Sequence, residues 1–164
     1  MPPDDKVSNE VITKFVEVVL WLDKQEHPDP VFIPLRLNSF GEDTGLGVYE
    51  SVEDVLSSYP VEDLLPHLPA ALQSPYVCRR FRAALIVWRL LTNALLAEAL
   101  RDLLIDRFLN DEDPDVRWAA LMALSEIEDE TVERALRQAL LTEPEEDLRK
   151  DIEKVLQERF GWGT

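Results

Sequence analysis

The sequence predicts an all-α protein: a short α-solenoid of about three helix pairs, with an N-terminal capping helix and an irregular insertion over residues 26–50. Proline-marked helix starts recur along the chain, and apolar residues follow each start at helical spacing. In addition, Ala99-Leu100-Arg101 with Leu104 is echoed by Ala135-Leu136-Arg137 with Leu140, 36 residues later. The 164 residues, 46% of them apolar, suit a single domain over 1–164 with a sizeable core.

Residues 8–25 read as the capping helix. Ser8 or Asn9 serves as its cap, and it runs to about Lys24 with Ile12, Phe15, Val16, Val19 and Leu22 inward; Leu20 and Trp21 broaden that face. Residues 26–60 read as a loop-rich insertion. His27-Pro28-Asp29-Pro30 forbids helix continuation, and Val31, Ile33, Leu35 and Leu37 alternate with Phe32, Pro34 and Arg36 as in an edge strand or extended segment. Gly41, Gly45 and Gly47 make Phe40 to Tyr49 a loop, either functional or a structural plug, and Ser51-Val52-Glu53-Asp54 starts a short helix.

Residues 61–160 carry the repeats. Pro66 and Pro69 distort a helix over Val61 to Leu72. Ser74-Pro75, Asp113-Pro114 and Glu143-Pro144 each place proline after a residue able to cap, which predicts three similar helix starts. Behind them come Val77, Phe81, Ala84, Leu85 and Trp88; then Val116, Ala119, Ala120, Ala123, Leu124 and Ile127; then Leu148, Ile152, Val155 and Leu156. Between them, residues 129–142 keep Val132, Ala135, Leu136, Ala139 and Leu140 on one face.

The run Asp113-Pro114-Asp115-Val116-Arg117, followed by Ala119, Ala120 and Leu124, resembles the second helix of a HEAT repeat in its short bacterial form. Glu146-Asp147-Leu148-Arg149 with Ile152 and Leu156 is a weaker copy, and Phe81-Arg82 with Ala84 and Leu85 a weaker one still. The resemblance covers about residues 60–160 and implies a scaffold or binding surface rather than an activity.

Catalytic and cofactor motifs are missing. His27 and His67 lack metal-ligand spacing, Glu50 replaces the last glycine of a dinucleotide fingerprint begun at Gly45-Leu46-Gly47, and there is no phosphate loop. Asp111, Asp113 and Asp115 open like a calcium loop, but Val116 and Met122 occupy the positions that need glycine and glutamate, so helix capping is the expected role. Cys78 lies beside Arg79 and Arg80, which would favour a thiolate, yet no histidine is near and a buried small hydrophobe is expected. No catalytic residue, metal or cofactor is therefore assigned. No apolar run reaches the roughly 18 residues of a membrane span, MPPDDKVSNE lacks signal-peptide character, and one cysteine allows no internal disulfide, so a cytoplasmic address is expected.

Charge points to a partner. Thirty-three acids against seventeen bases give a net charge of -16, which disfavours nucleic acid. Leu64 to Ala97 contains no acid but holds Arg79, Arg80, Arg82 and Arg89, whereas residues from Asn110 onward hold sixteen acids and seven bases. Solenoid stacking would bring Asp111, Glu112, Asp113 and Asp115 beside Glu143, Glu145, Glu146 and Asp147 on one edge, with Glu126, Glu128, Asp129 and Glu130 opposite. That edge either keeps the protein soluble or meets a basic protein. Trp118, set off the alanine face, and the loop aromatics Phe40 and Tyr49 join it as expected contacts. Arg79, Arg82, Ile86 and Arg89 fall on one stripe, either paired with the next repeat's carboxylates or forming a second contact surface.

Small acidic bacterial immunity proteins are similar in size and charge, and that likeness implies an antidote covering the active or substrate-binding surface of a basic, nuclease-type toxin. A HEAT-like adaptor for another partner is the alternative, and a lyase or isomerase on the repeat scaffold the third reading.

Overall fold

A computed structural model describes residues 8–24, 29–41, 48–91 and 93–161. Among these, all regular structure is helical: α1 (Asn9–Asp23), a 3-10 turn (Pro30–Phe32), α2 (Ile33–Leu37), α3 (Val48–Ser57), α4 (Val61–Leu64), α5 (Leu68–Leu72), α6 (Val77–Leu90), α7 (Ala94–Asn110), α8 (Pro114–Leu124), α9 (Glu130–Thr142) and α10 (Glu146–Phe160). The chain forms two compact units, Met1–Ile86 and Val87–Thr164, divided within α6. His27, Pro28, Gly45 and Gly47, to which the sequence assigns a helix break and a loop, lie outside the described residues, as does the side chain of Leu22.

In the first unit, α1 packs on α3. Ser8 Oγ accepts from the Val11 N–H at 3.3 Å, and Val19 is buried while Ile12, Phe15 and Val16 are half-buried. Leu20 and Trp21 do not broaden that face; both are exposed.

Residues 31–37 are helical rather than extended. Asp29 Oδ1 accepts from the Val31 N–H at 2.9 Å, and Pro30 opens the turn where its missing N–H costs nothing. Pro34 falls in the first turn of α2 for the same reason, so Ile33, Arg36 and Leu37 are buried at i, i+3 and i+4 while Val31 and Leu35 face solvent. Proline position overrode the apolar alternation. Helix α3 starts three residues before the expected Ser51, which places Tyr49, Val52, Val55 and Leu56 in the core. The distortion expected at Pro66 and Pro69 splits Val61–Leu72 into α4 and α5, with Leu64, Leu68 and Leu72 buried every fourth residue.

In the second unit, α7 packs on α8 and α9 on α10, while α7 also meets α9 and α8 meets α10. Pairs stacked in this way, first helix on first and second on second, form the α-solenoid. Leu96, Leu100, Leu104 and Phe108 of α7 are buried, as are Val132, Ala135, Leu136 and Ala139 of α9. Alanines at 119, 120 and 123 give α8 a thin buried face on which neighbouring helices approach closely. Asn93, Asp113 and Asp129 cap α7, α8 and α9 through their side-chain oxygens. At the far end Gly161 closes α10 at φ 65°, the left-handed backbone that favours glycine after a helix.

Candidate functional site

The turns ahead of α6, α8 and α10 share one device. Arg80, Arg117 and Arg149 each bend back and donate from one terminal nitrogen to two carbonyls, six and five residues earlier. Arg80 reaches Ser74 O (3.0 Å) and Pro75 O (3.2 Å), Arg117 reaches Asp111 O (3.0 Å) and Glu112 O (3.3 Å), and Arg149 reaches Glu143 O (2.6 Å) and Pro144 O (3.0 Å). The residues three, six and seven positions after each arginine are buried: Ala83, Ile86 and Val87; Ala120, Ala123 and Leu124; Ile152, Val155 and Leu156.

This repeat corrects two sequence assignments. The first copy aligns on Arg80 rather than Arg82, and α6 and α10 begin at Val77 and Glu146 rather than at Pro75 and Pro144, because the carbonyls of Ser74, Pro75, Glu143 and Pro144 belong to the arginine-bound turns. Arg82 pairs instead with the buried Glu53 at 2.6 Å, and Ile86 is wholly buried. The expected stripe of Arg79, Arg82, Ile86 and Arg89 is therefore not a surface, although Arg89 is exposed.

Three of the eight expected edge carboxylates hold the turns together. Asp111 is 5% exposed and Glu143 7% exposed. Asp111 accepts from the Asp113 N–H at 3.2 Å and from Arg107 at 3.3 Å. Glu143 accepts from Arg117 Nη2 at 2.7 Å and Nε at 2.9 Å, and from the Glu145 N–H at 3.1 Å. Burial pushes the Glu143 carboxyl up, but the hydrogen bonds from Arg117 and the Glu145 N–H, with the charges of Arg117 and Arg149, outweigh it and hold the group below its ordinary value. The same hydrogen bond, opposed by burial, raises Arg117. Asp113 is half-buried and caps α8, accepting from the N–H groups of Asp115 (3.0 Å) and Val116 (3.2 Å).

Asp111 and Glu143 are thus corrected from partner contacts to buried supports, because each is desolvated among donors of this chain, Asp111 by the Asp113 N–H and Arg107 and Glu143 by the Glu145 N–H and Arg117. Glu112, Asp115, Glu145, Glu146 and Asp147 remain exposed, and Arg117 ties their two turns side by side. Lys150 pairs with Glu146 (2.9 Å) and Asp147 (3.2 Å) on this edge. The acids expected opposite are partly committed as well: Glu126 pairs with Arg159 at 2.6 Å, and Asp129 caps α9 and binds Arg101 at 3.1 Å.

One helical turn inward from this edge lies a groove of about 550 Å³ between α8 and α10, lined by Trp118, Met122, Asp151, Lys154, Glu158 and Arg159, among others. Trp118 is half-buried, donates from its indole to Asp151 at 3.2 Å and meets Trp88 edge-on at 6.4 Å, so its ring is fixed against the groove wall. The Arg159–Glu126 pair spans the other end. Sequence reasoning found Trp118 but missed Met122, Asp151, Lys154 and Glu158. Their only signal was i, i+4 spacing on the polar faces of two helices whose mutual packing must first be known.

Phe40 and Tyr49 do not join this surface. They are 0% and 1% exposed in the first unit, with ring centroids 5.2 Å apart and planes at 88°. The Gly41 N–H donates to Tyr49 Oη at 2.6 Å. The aromatics flanking the glycine segment are core, which corrects their assignment as contacts. Cys78 is half-buried rather than fully buried. Among the described residues no three His, Cys, Asp or Glu side chains group to hold a metal, and no helix is long and apolar enough to cross a membrane.

A family model described as HEAT repeats matches residues 65–157. No curated protein and no solved structure matches the chain.

Proposed function

Because the chain belongs to the HEAT-repeat family, we propose that it is a protein-interaction scaffold whose partner presents a basic surface to the α8 and α10 end of the stack. The observation that carries this reading is the adjacency of two features. An exposed edge of Glu112, Asp115, Glu145, Glu146 and Asp147 adjoins a groove with a fixed indole and a flexible methionine. Aromatic and methionine side chains supply contact area at protein interfaces, and exposed carboxylates around them steer a cationic partner toward it. Buried supports such as Asp111, Arg117 and Glu143 hold the edge in place without contacting the partner.

The test is affinity capture with the native chain and with a Glu112→Lys/Asp115→Lys/Glu145→Lys variant. A basic protein retained by the native chain and released by the variant supports the reading; equal retention, or a partner with an acidic surface, contradicts it. The antidote role is the narrowest form of this function. It requires further that the captured protein be a toxin, such as a nuclease, and that the native chain inhibit it at equimolar ratio.

A further inference from the structure

Far in sequence from the acidic edge, the first unit contains a cavity of about 310 Å³ where α2, α5 and the start of α6 meet. Pro34, Pro66 and Pro75 stiffen its walls, and among the described residues no carboxylate lines it although the chain carries a net charge of -16. Arg79 is the cation among the lining residues. It donates to Asn38 O at 3.1 Å and lies over the Tyr76 ring at 5.1 Å, so its guanidinium is held in place before any ligand arrives. Arg79 Nε is buried and has no hydrogen-bond partner among the described residues. Asn38, His67 and Gln73 also line the cavity, and their side chains make no hydrogen bond among the described residues.

Small-molecule sites combine rigid apolar walls with a few convergent polar groups in about 300–1,000 Å³. From these observations we infer that the cavity binds a small organic monocarboxylate. A guanidinium presents a planar fork that matches a carboxylate, and the amide and imidazole donors serve its remaining lone pairs. One permanent positive charge balances a monoanion and leaves a phosphate dianion under-compensated. Proline and alanine walls suit an apolar ligand body.

Benzoate, its neutral analogue benzamide, and inorganic phosphate are suitable probes, titrated into the full chain while backbone amide resonances are followed by NMR. Benzoate is expected to shift Ala70, Gln73 and Arg79 saturably and to bind about tenfold more tightly than benzamide, since a charge-assisted bond is roughly twice as strong as a neutral one. Arg79→Gln should remove benzoate's advantage. Ala70→Phe, at an exposed α5 position on the cavity wall, should abolish binding with helicity unchanged, and it keeps the test decisive if Arg79→Gln fails to fold. The inference is overturned by equal binding of benzoate and benzamide, by absence of a saturable benzoate shift, by displacement of benzoate by equimolar phosphate, or by binding that survives Ala70→Phe.

Discussion

Replacing Arg117 by methionine removes four hydrogen bonds at once: two to the Glu143 carboxylate at 2.7 and 2.9 Å, and two to the carbonyls of Asp111 and Glu112 at 3.0 and 3.3 Å. Breaking a buried ion pair from one side costs about 3–5 kcal/mol, because the remaining charge stays desolvated. The lower end applies here, since Glu143 keeps the Glu145 N–H at 3.1 Å and the charge of Arg149. Arg117→Met should therefore cost about 3 kcal/mol, or a fall of about 6–12 °C in melting temperature for a chain of this size. Glu143→Leu should cost a similar amount. The double variant should lie about 2 kcal/mol above the sum of the singles, because neither charge is then left alone. A carboxyl held below its ordinary value contributes stability above that value and loses it as pH falls through the folded one. The native chain should accordingly weaken as pH drops below about 4.5, the ordinary value for Glu143, while Arg117→Met weakens less because protonation neutralises its unpaired carboxylate. Urea unfolding followed by circular dichroism at neutral and acid pH measures all three variants. A single-variant cost below about 1 kcal/mol, or strict additivity, would refute the buried-pair account of the turn.

Tyr49→Phe leaves the Gly41 N–H without its 2.6 Å partner and should cost about 1–3 kcal/mol, whereas Phe40→Ala empties a fully buried site and should cost about 3–5 kcal/mol. Partner affinity should be unchanged in both at temperatures where they remain folded, and lost affinity in a folded variant would return these aromatics to the interface. Asp113→Ala removes a cap that serves two N–H groups and should cost about 1–2 kcal/mol, while Glu145→Ala, at a position with no side-chain cap bond, should be near neutral. Denaturant midpoints decide between them, and equal effects would contradict the assigned caps. Trp118→Ala should weaken partner binding by about 2 kcal/mol or more if the groove is the contact centre, and calorimetry that finds no change would exclude it.

Helices with uninterrupted period and a capping residue were legible in the sequence, as α8 and α9 show: their burial follows from spacing alone, as Val132, Leu136 and Ala139 illustrate. Short elements between prolines were not. At residues 31–37 the apolar alternation and proline placement pointed in opposite directions, and the local capping bond from Asp29 settled the outcome. Charge was legible as a total but not as a role. Asp111 and Glu143 have the composition of surface acids, and only the arginines folding back across each turn show that they are internal. Arg80 went unnoticed for a related reason: Arg79, Arg80 and Arg82 stand almost together, and spacing from Ser74, not residue type, marks the one that binds the turn.

The central claim, that the exposed acids at the starts of α8 and α10 meet a basic partner, is tested most directly by association rates with the captured partner across a salt series. Three chains are compared: native; Glu112→Lys/Asp115→Lys/Glu145→Lys; and Glu17→Lys/Glu62→Lys/Glu98→Lys, which carries the same net charge change at exposed sites elsewhere. The native chain and the distant variant should associate fast with a steep dependence on salt, the distant variant only modestly slower, whereas the edge variant should be slow and nearly salt-independent. Equal slopes for the two variants would contradict the claim, since total charge rather than the α8 and α10 edge would then set the rate.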